Sequence, residues 1–392
     1  MSKICFLTDS VFSVGGVQRV TAVIAKELSR SHEVTIVTLD GEASKDTTLY
    51  GLDEADMSYR FFAYPETGGL KMKACKAYSL LYRKVLPQTR WTSKWYARSS
   101  FPSEKRQALA SELAEGGYDV IVGVHAPLAA RLASCRPWLG GARLIGWIHN
   151  SYQALFGPGS LYIGPELRRH YEYQLEQLDA TVVLSHDDAR QYHFPTLVVY
   201  NPLTLKPGAR SRGVSKRFLA VGRFSRRHKG FDLLIEAFHL FAKTDSEWVL
   251  DIVGEGVEEP LYRGLIAKYG LEKRVSIHPF TNDIQSYYSQ AQVYVLSSRW
   301  EGFGLVLVEA MAHGLPVVST DLPTSREIMG DFGLYFDNGN IGQLALRLHE
   351  ATLADWPRAS ETALAIARRF DIKHIARQWE RLLEVGPVTP AR

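Results

Sequence analysis

The sequence predicts an α/β protein built from two doubly wound parallel sheets. Its 392 residues suffice for two or three domains at roughly 100 to 200 residues each. Short β-rich apolar runs alternate with helical patterns, the signature of parallel α/β sheets. That rhythm restarts near Arg217, after a stretch with no periodicity.

In the first half the strand-like runs are Lys3 to Thr8, Glu33 to Thr38, Asp119 to Val124, Arg143 to Ile148 and Thr181 to Leu184, and one intervening helix spans Val17 to Ser29. In the second half they are Arg217 to Val221, Trp248 to Val253, Val275 to His278, Val293 to Leu296 and Pro316 to Ser319. Residues 202–215 are rich in Pro, Gly and basic side chains and read as a linker. Domains are therefore expected at 1–201 and 216–370, followed by a C-terminal helix and tail at 371–392 that packs back on the first domain. The stretch Gly386 to Arg392 is the one low-complexity candidate. Sheets of this kind bind ligands outside the carboxyl ends of their strands. The chemistry is expected in a central cleft between two facing domains, on loops that follow strands.

Composition narrows the class further. Apolar residues at 46% and charged residues at 22% exclude collagen-like, disulfide-dense and wholly disordered chains. A net charge of +4 is too small to mark a dedicated nucleic-acid binder. Cys5, Cys75 and Cys135 form no CxxC pair and leave one cysteine over, so neither a zinc site nor a disulfide framework is expected, and a reducing cytosol fits. The N-terminal apolar run ends in Asp9 and is too short for a signal segment. No uncharged stretch approaches the roughly 20 residues that span a bilayer. The protein is expected to be cytoplasmic, with any membrane role peripheral on the inner face.

Candidate site residues follow predicted strand ends. Gly15 and Gly16 open a helix after the first strand, where missing side chains let an anion approach backbone N–H groups at the positive helix end; a plain tight turn accounts for them equally well. After the strand ending at Val221 come Gly222, Arg223 and then Arg226, Arg227, His228 and Lys229. So many cations repel one another unless an anion or solvent compensates. A phosphate held between Arg223 and Lys229, or a solvated basic loop, satisfies the pattern. From Ser297 to Val318 the chain passes from a strand end through a loop holding Glu301, Phe303, Gly304 and Leu305 into a helix carrying Glu309. A carboxylate on that apolar helix needs a hydroxyl or cationic partner.

Together the Gly-Gly loop, Gly222-Arg223 with Lys229-Gly230, and Glu301 with Glu309 resemble the retaining family 4 glycosyltransferases of the two-domain GT-B fold. The resemblance covers nearly the whole chain and is strongest from Val221 to Val318. It implies that Gly16 meets donor phosphates, that Arg223 and Lys229 neutralise the departing diphosphate, and that Glu309 binds the nucleotide ribose. Glu301 would hold donor-sugar hydroxyls, with the backbone at Phe303, Gly304 and Leu305 contacting sugar and phosphate. His125, in Gly123-Val124-His125-Ala126-Pro127, matches the histidine that lies against the donor sugar, although a structural role at a strand end also fits it. His149 and Asn150, after another strand, are acceptor-side candidates or structural residues. The family commonly carries a glycine where this chain has His278-Pro279-Phe280, a point at which backbone meets the nucleobase, so the base is left open, with a UDP-sugar preferred to a GDP-sugar. No Asp-x-Asp occurs, which implies a metal-independent reaction without cofactor, the nucleotide sugar being a substrate. Two other readings stay open: a GT-B epimerase or soluble-acceptor synthase, and a non-catalytic sugar-nucleotide-binding protein.

One further segment stands out. From Lys71 to Arg106 ten basic residues face a single acid, Glu104, and are interleaved with Tyr78, Leu80, Leu81, Tyr82, Trp91, Trp95, Tyr96 and Phe101. Basic residues with interfacial aromatics describe a surface that rests on anionic lipid, which suits a lipid-linked acceptor in cell-surface polysaccharide assembly. A helical face packed on the first domain with solvated lysines is the other reading. Nucleic acid is not an expected partner.

Overall fold

A computed structural model describes residues 1–160 and 162–384, so the tail from Gly386 lies outside the described residues. The chain divides into two compact units, one formed by Met1–Pro202 with the helix Ile372–Glu384, the other by Leu203–Asp371.

In the first unit seven strands form one sheet: β1 (Lys3–Thr8), β2 (Glu33–Thr38), β3 (Ser58–Phe61), β4 (Val120–Val124), β5 (Arg143–Trp147), β6 (Ala180–Val183) and β7 (Leu197–Val198), in the order β3-β2-β1-β4-β5-β6-β7. All of its pairings are parallel, with Phe6 level with Ile36 on one side and Val122 on the other. β4 and β5 are buried along their whole length, which is why they read as continuous apolar runs and not as alternating ones. The order reverses between β1 and β4, the point at which such sheets open a crevice at their carboxyl edge.

The second unit repeats the plan with β8 (Arg217–Val221), β9 (Val249–Val253), β10 (Val275–His278), β11 (Val293–Leu296), β12 (Val317–Thr320) and β13 (Leu334–Phe336), ordered β10-β9-β8-β11-β12-β13 and again parallel throughout. Its reversal lies between β8 and β11. Phe218, its ring centroid 4.5 Å from that of Trp248 and edge-on at 5.4 Å to that of Phe241, fills the core beneath that point. Three strands escape the sequence pattern, β3, β7 and β13, and all three are sheet edges. They are short or half-covered, so they show no long apolar run.

Two segments take structural positions that composition does not convey. Residues 203–215, read as a connector, are part of the second unit: the Leu203 N–H donates to Phe370 O at 2.7 Å, the Ser211 N–H donates to His313 O at 3.0 Å, and the buried Ser211 hydroxyl donates to Ala291 O. Missing periodicity signals irregular backbone, not absence of packing. The helix Ile372–Glu384 lies in the first unit against the helix Gly16–Leu28. Its buried residues Ile375, Ala376, Trp379, Leu382 and Leu383 recur at helical spacing, and the Trp379 ring sits 4.7 Å from that of Trp147 and 6.4 Å from that of Phe6. Among the described residues no helix is long and apolar enough to cross a membrane.

Trp379 is fully buried, and removing it opens a large cavity under β1 and β5. Trp379→Ala is expected to cost about 3 to 5 kcal/mol, read as a lowered denaturant midpoint; a loss under about 1 kcal/mol would show that the C-terminal helix is not integral to the first unit.

Candidate active site

In the second unit the loops after β8 and β11 are joined residue by residue. Gly230 has left-handed backbone (φ 63°), and a Cβ there would stand 2.2 Å from Ser297 O, so only glycine permits the approach. The Ser297 hydroxyl donates to Lys229 O at 2.8 Å and the Arg299 N–H to His228 O at 2.7 Å. Within this frame Lys229 Nζ lies 2.6 Å from Glu301 Oε1, which also accepts from the Ser298 hydroxyl at 2.6 Å. His228 stacks flat on Trp300, with centroids 3.8 Å apart, and its Nε2 stands 3.7 Å from the same carboxylate oxygen, beyond hydrogen-bond reach. Burial alone would push the Glu301 carboxyl up; Lys229 and His228 outweigh it and hold the group well below the ordinary carboxylate range.

Folding adds two features that the sequence pattern does not carry. Lys229 and Glu301, assigned separately to diphosphate and sugar, form one nearly buried ion pair, with side chains 12% and 8% exposed. The basic loop is also compensated largely by the protein's own acids: Arg226 and Arg299 both reach Asp232 at 2.9 Å. Repulsion along the sequence is relieved by carboxylates that folding brings in. Arg223 and Arg227 are exposed and have no acidic partner among the described residues.

Glu309 is 2% exposed on the helix Leu305–Ala312 and accepts a hydrogen bond from the Tyr288 hydroxyl at 3.0 Å. Burial pushes the Tyr294 phenol far up, and the charges of Glu301 and Glu309 add to the shift. Gly304 (φ 90°) begins the Leu305–Ala312 helix, whose first N–H groups lack partners within the helix. Phe303 is buried, its ring 5.7 Å from that of Phe370.

In the first unit, Gly15 precedes and Gly16 starts the helix Gly16–Leu28. The Gly15 N–H donates to the Tyr50 hydroxyl at 3.0 Å, and that hydroxyl donates to Ser13 O at 2.9 Å, so Tyr50 fixes the glycine loop from 35 residues away. His125 stands at the end of β4 with φ 71°, rare for a side chain of its size. Its ring centroid is 5.4 Å from that of His149, which packs 4.3 Å from Trp147. Burial holds both imidazoles below their ordinary value, His149 strongly, and His125 adds to the effect on His149. Neither ring nitrogen of His149 has a hydrogen-bond partner among the described residues. Asn150 is half-buried beside it. Tyr50, Ser298, His228, Tyr288 and Asp232 were not singled out as partners from the sequence. Ser298 has a local signal, three positions before Glu301; Tyr50 and Tyr288 have none.

Residues 14–204 match the model of Glycosyltransferase Family 4, and residues 205–368 that of Glycosyl transferases group 1. With its two parallel-sheet Rossmann-like domains, the chain has the fold of the GT-B glycosyltransferases. The chain belongs to glycosyltransferase family 4. An uncharacterized glycosyltransferase of Haemophilus influenzae is 31% identical over 194 residues, covering 47% of this chain and 54% of the relative. The N-acetylgalactosamine-N,N'-diacetylbacillosaminyl-diphospho-undecaprenol 4-alpha-N-acetylgalactosaminyltransferase of Campylobacter jejuni is 33% identical over 167 residues, 41% of this chain and 45% of the relative. The chain spans about half the length of these curated relatives. Among solved structures, Anabaena HepE in complex with UDP-glucose superposes with a TM-score of 0.71 at 19% identity, over 98% of this chain and 99% of that one.

Two outcomes follow from the geometry. Glu301→Gln strands Lys229 in a nearly buried position and is expected to cost about 3 to 5 kcal/mol, whereas the double variant with Lys229→Met recovers most of that loss; additive single effects in a double-mutant cycle would show that the two residues are not a unit. The buried histidines set a pH response in the first unit. The unfolded chain takes up protons near pH 6.5, while the native imidazole of His149 resists until far lower pH and that of His170 until about 4. Stability is therefore full above 6.5 and falls as pH drops, by at most about 1.4 kcal/mol per pH unit per histidine. His149→Gln should flatten the dependence of the denaturant midpoint between pH 7.5 and 5.5; an unchanged slope would count against a neutral His149.

Proposed function

We propose that the protein is a retaining, metal-independent glycosyltransferase that moves a hexose-type sugar from a nucleotide diphosphate, UDP in preference to GDP, to a growing glycan. The observation that carries this reading is the cluster at the carboxyl ends of β8 and β11. There Glu301, fixed by Lys229 and Ser298, and Glu309, bonded by Tyr288, follow β11, while the exposed Arg223 and Arg227, without an acidic partner among the described residues, follow the neighbouring strand β8. A ribose and a sugar offer hydroxyl donors to the two carboxylates, and a diphosphate offers its charge to the arginines. The name of the Campylobacter relative describes a lipid-diphosphate-linked acceptor, and HepE was solved with UDP-glucose; both support this choice of donor and acceptor.

In the reaction the bond from the anomeric carbon to the diphosphate oxygen breaks, and a bond to the acceptor oxygen forms on the same face. The acceptor proton passes to the departing phosphate oxygen. Arg223 stabilises the charge that develops there, the role a divalent ion fills in other designs. Lys229 acts chiefly by orienting Glu301 on the sugar. His125, neutral near pH 7, serves the donor-sugar face.

Turnover of a panel of UDP- and GDP-sugars, followed by nucleotide diphosphate release, tests the proposal and separates it from a non-catalytic binding protein. Glu309→Gln is expected to lower kcat/KM by about 2 to 4 kcal/mol in transition-state terms, with the fold retained. EDTA is expected to leave the rate nearly unchanged. Wild-type kcat/KM in the folded variant sinks the ribose assignment, and loss of activity with EDTA sinks metal independence.

A further inference from the structure

The helix Arg90–Ser100 is amphipathic in the inverted sense. Its inward face carries Thr92, Ser93 and Ala97 around Tyr96, all buried, with the Ser93 and Tyr82 hydroxyls 2.7 Å apart and the Tyr78 hydroxyl donating to Thr92 O at 3.0 Å. Its outward face carries Trp91, 68% exposed, and Trp95, 46% exposed, together with Lys94 and Arg98. Trp91, Trp95 and Arg98 recur at helical spacing; the two indoles lie 6.0 Å apart, and Arg98 sits 5.6 Å over Trp95. The preceding helix Gly69–Lys84 packs against this one and ends in exposed Leu80, Leu81, Lys84 and Val85. Water is a poor medium for such a surface. Exposed apolar groups set among charges mark an interaction site.

Charge selects the partner. Of the basic residues in these two helices, Arg83 is paired with Glu166 at 2.9 Å and Arg90 with Glu176 at 2.5 Å. Exposed Lys73, Lys76, Lys84, Lys94 and Arg98 have no acidic partner among the described residues. We infer that the helix pair Gly69–Ser100 docks the protein on an anionic lipid bilayer, lysines at the headgroups and Trp91, Trp95, Leu80, Leu81 and Val85 at the acyl boundary. A nucleic acid would take the charges but leave the leucines and valine in water. A second copy of the chain would bring like charges together. The inference goes beyond the proposed reaction and stands without it.

The test is co-sedimentation of the full chain with vesicles of phosphatidylglycerol and phosphatidylcholine, or of phosphatidylcholine alone. Wild type is expected to bind the anionic vesicles only, less tightly as salt shortens the screening length, with a blue shift of tryptophan emission. Replacing Lys73, Lys76, Lys84 and Lys94 with Gln should weaken binding about fivefold per charge, on the order of several hundredfold in all. Trp91→Gln with Trp95→Gln, both at exposed positions, should weaken binding and remove the emission shift while thermal unfolding stays unchanged. Equal binding by wild type and the lysine variant, or no binding by either, overturns the inference. So does a dimer in solution that the tryptophan variant dissociates, which would assign the face to a second copy. Nucleotide-sugar turnover without vesicles, measured on the same samples, reports separately on the proposed reaction.

Discussion

Parallel pairing is the constraint from which the rest of this structure follows. When every strand of a sheet runs the same way, each connection must cross back over a face, usually as a helix, and all carboxyl ends gather along one edge. Both sheets obey it, and both reverse their strand order once. Candidate residues far apart in sequence therefore come from equivalent places: Gly15 and Gly16 follow β1, His125 follows β4, His149 follows β5, Arg223 and Lys229 follow β8, and Glu301 follows β11.

Within the second unit, folding distributes charge so that a carboxylate is usable at low solvent exposure. Glu301 is ionised because Lys229 and Ser298 compensate it and His228 stands close by. Asp232 draws to itself Arg226, one of the cations that crowd the loop in sequence, together with Arg299 from the loop after β11. Among the described residues Arg223 and Arg227 are the loop arginines left without an acidic partner. A substitution at Lys229 consequently reports on Glu301 as much as on any phosphate.

The first unit follows a different rule. Its strand-end histidines are buried among rings and kept neutral by desolvation, so they offer lone pairs and not charge. Its cationic character is displaced to the helices 69–100, where polar groups are turned inward and indoles outward. The same unit is closed by Trp379 from the C-terminal end of the chain, packed against Trp147 beneath the histidines.

By itself the sequence determined the two-sheet α/β class, the strands buried on both faces, and the residue types at their carboxyl ends, because burial writes a continuous apolar run and a strand-to-helix turn writes glycine and charge locally. The Glycosyltransferase Family 4 resemblance was legible for the same reason: Gly222-Arg223, Lys229-Gly230, Glu301 and Glu309 are short-range patterns. Of the four edge strands, β10 was legible from Val275 and Ile277, whereas β3, β7 and β13 were not, because β7 and β13 are only two and three residues long and β3 is half-covered. Only the tertiary structure decided that Lys229 pairs with Glu301 across 72 residues, that Tyr288 satisfies Glu309, that Tyr50 holds the glycine loop and that Ser211 is packed inside the second unit. These contacts are distant in sequence, and a hydrogen bond or ion pair depends on where the folded backbone places its two ends, which no local spacing encodes.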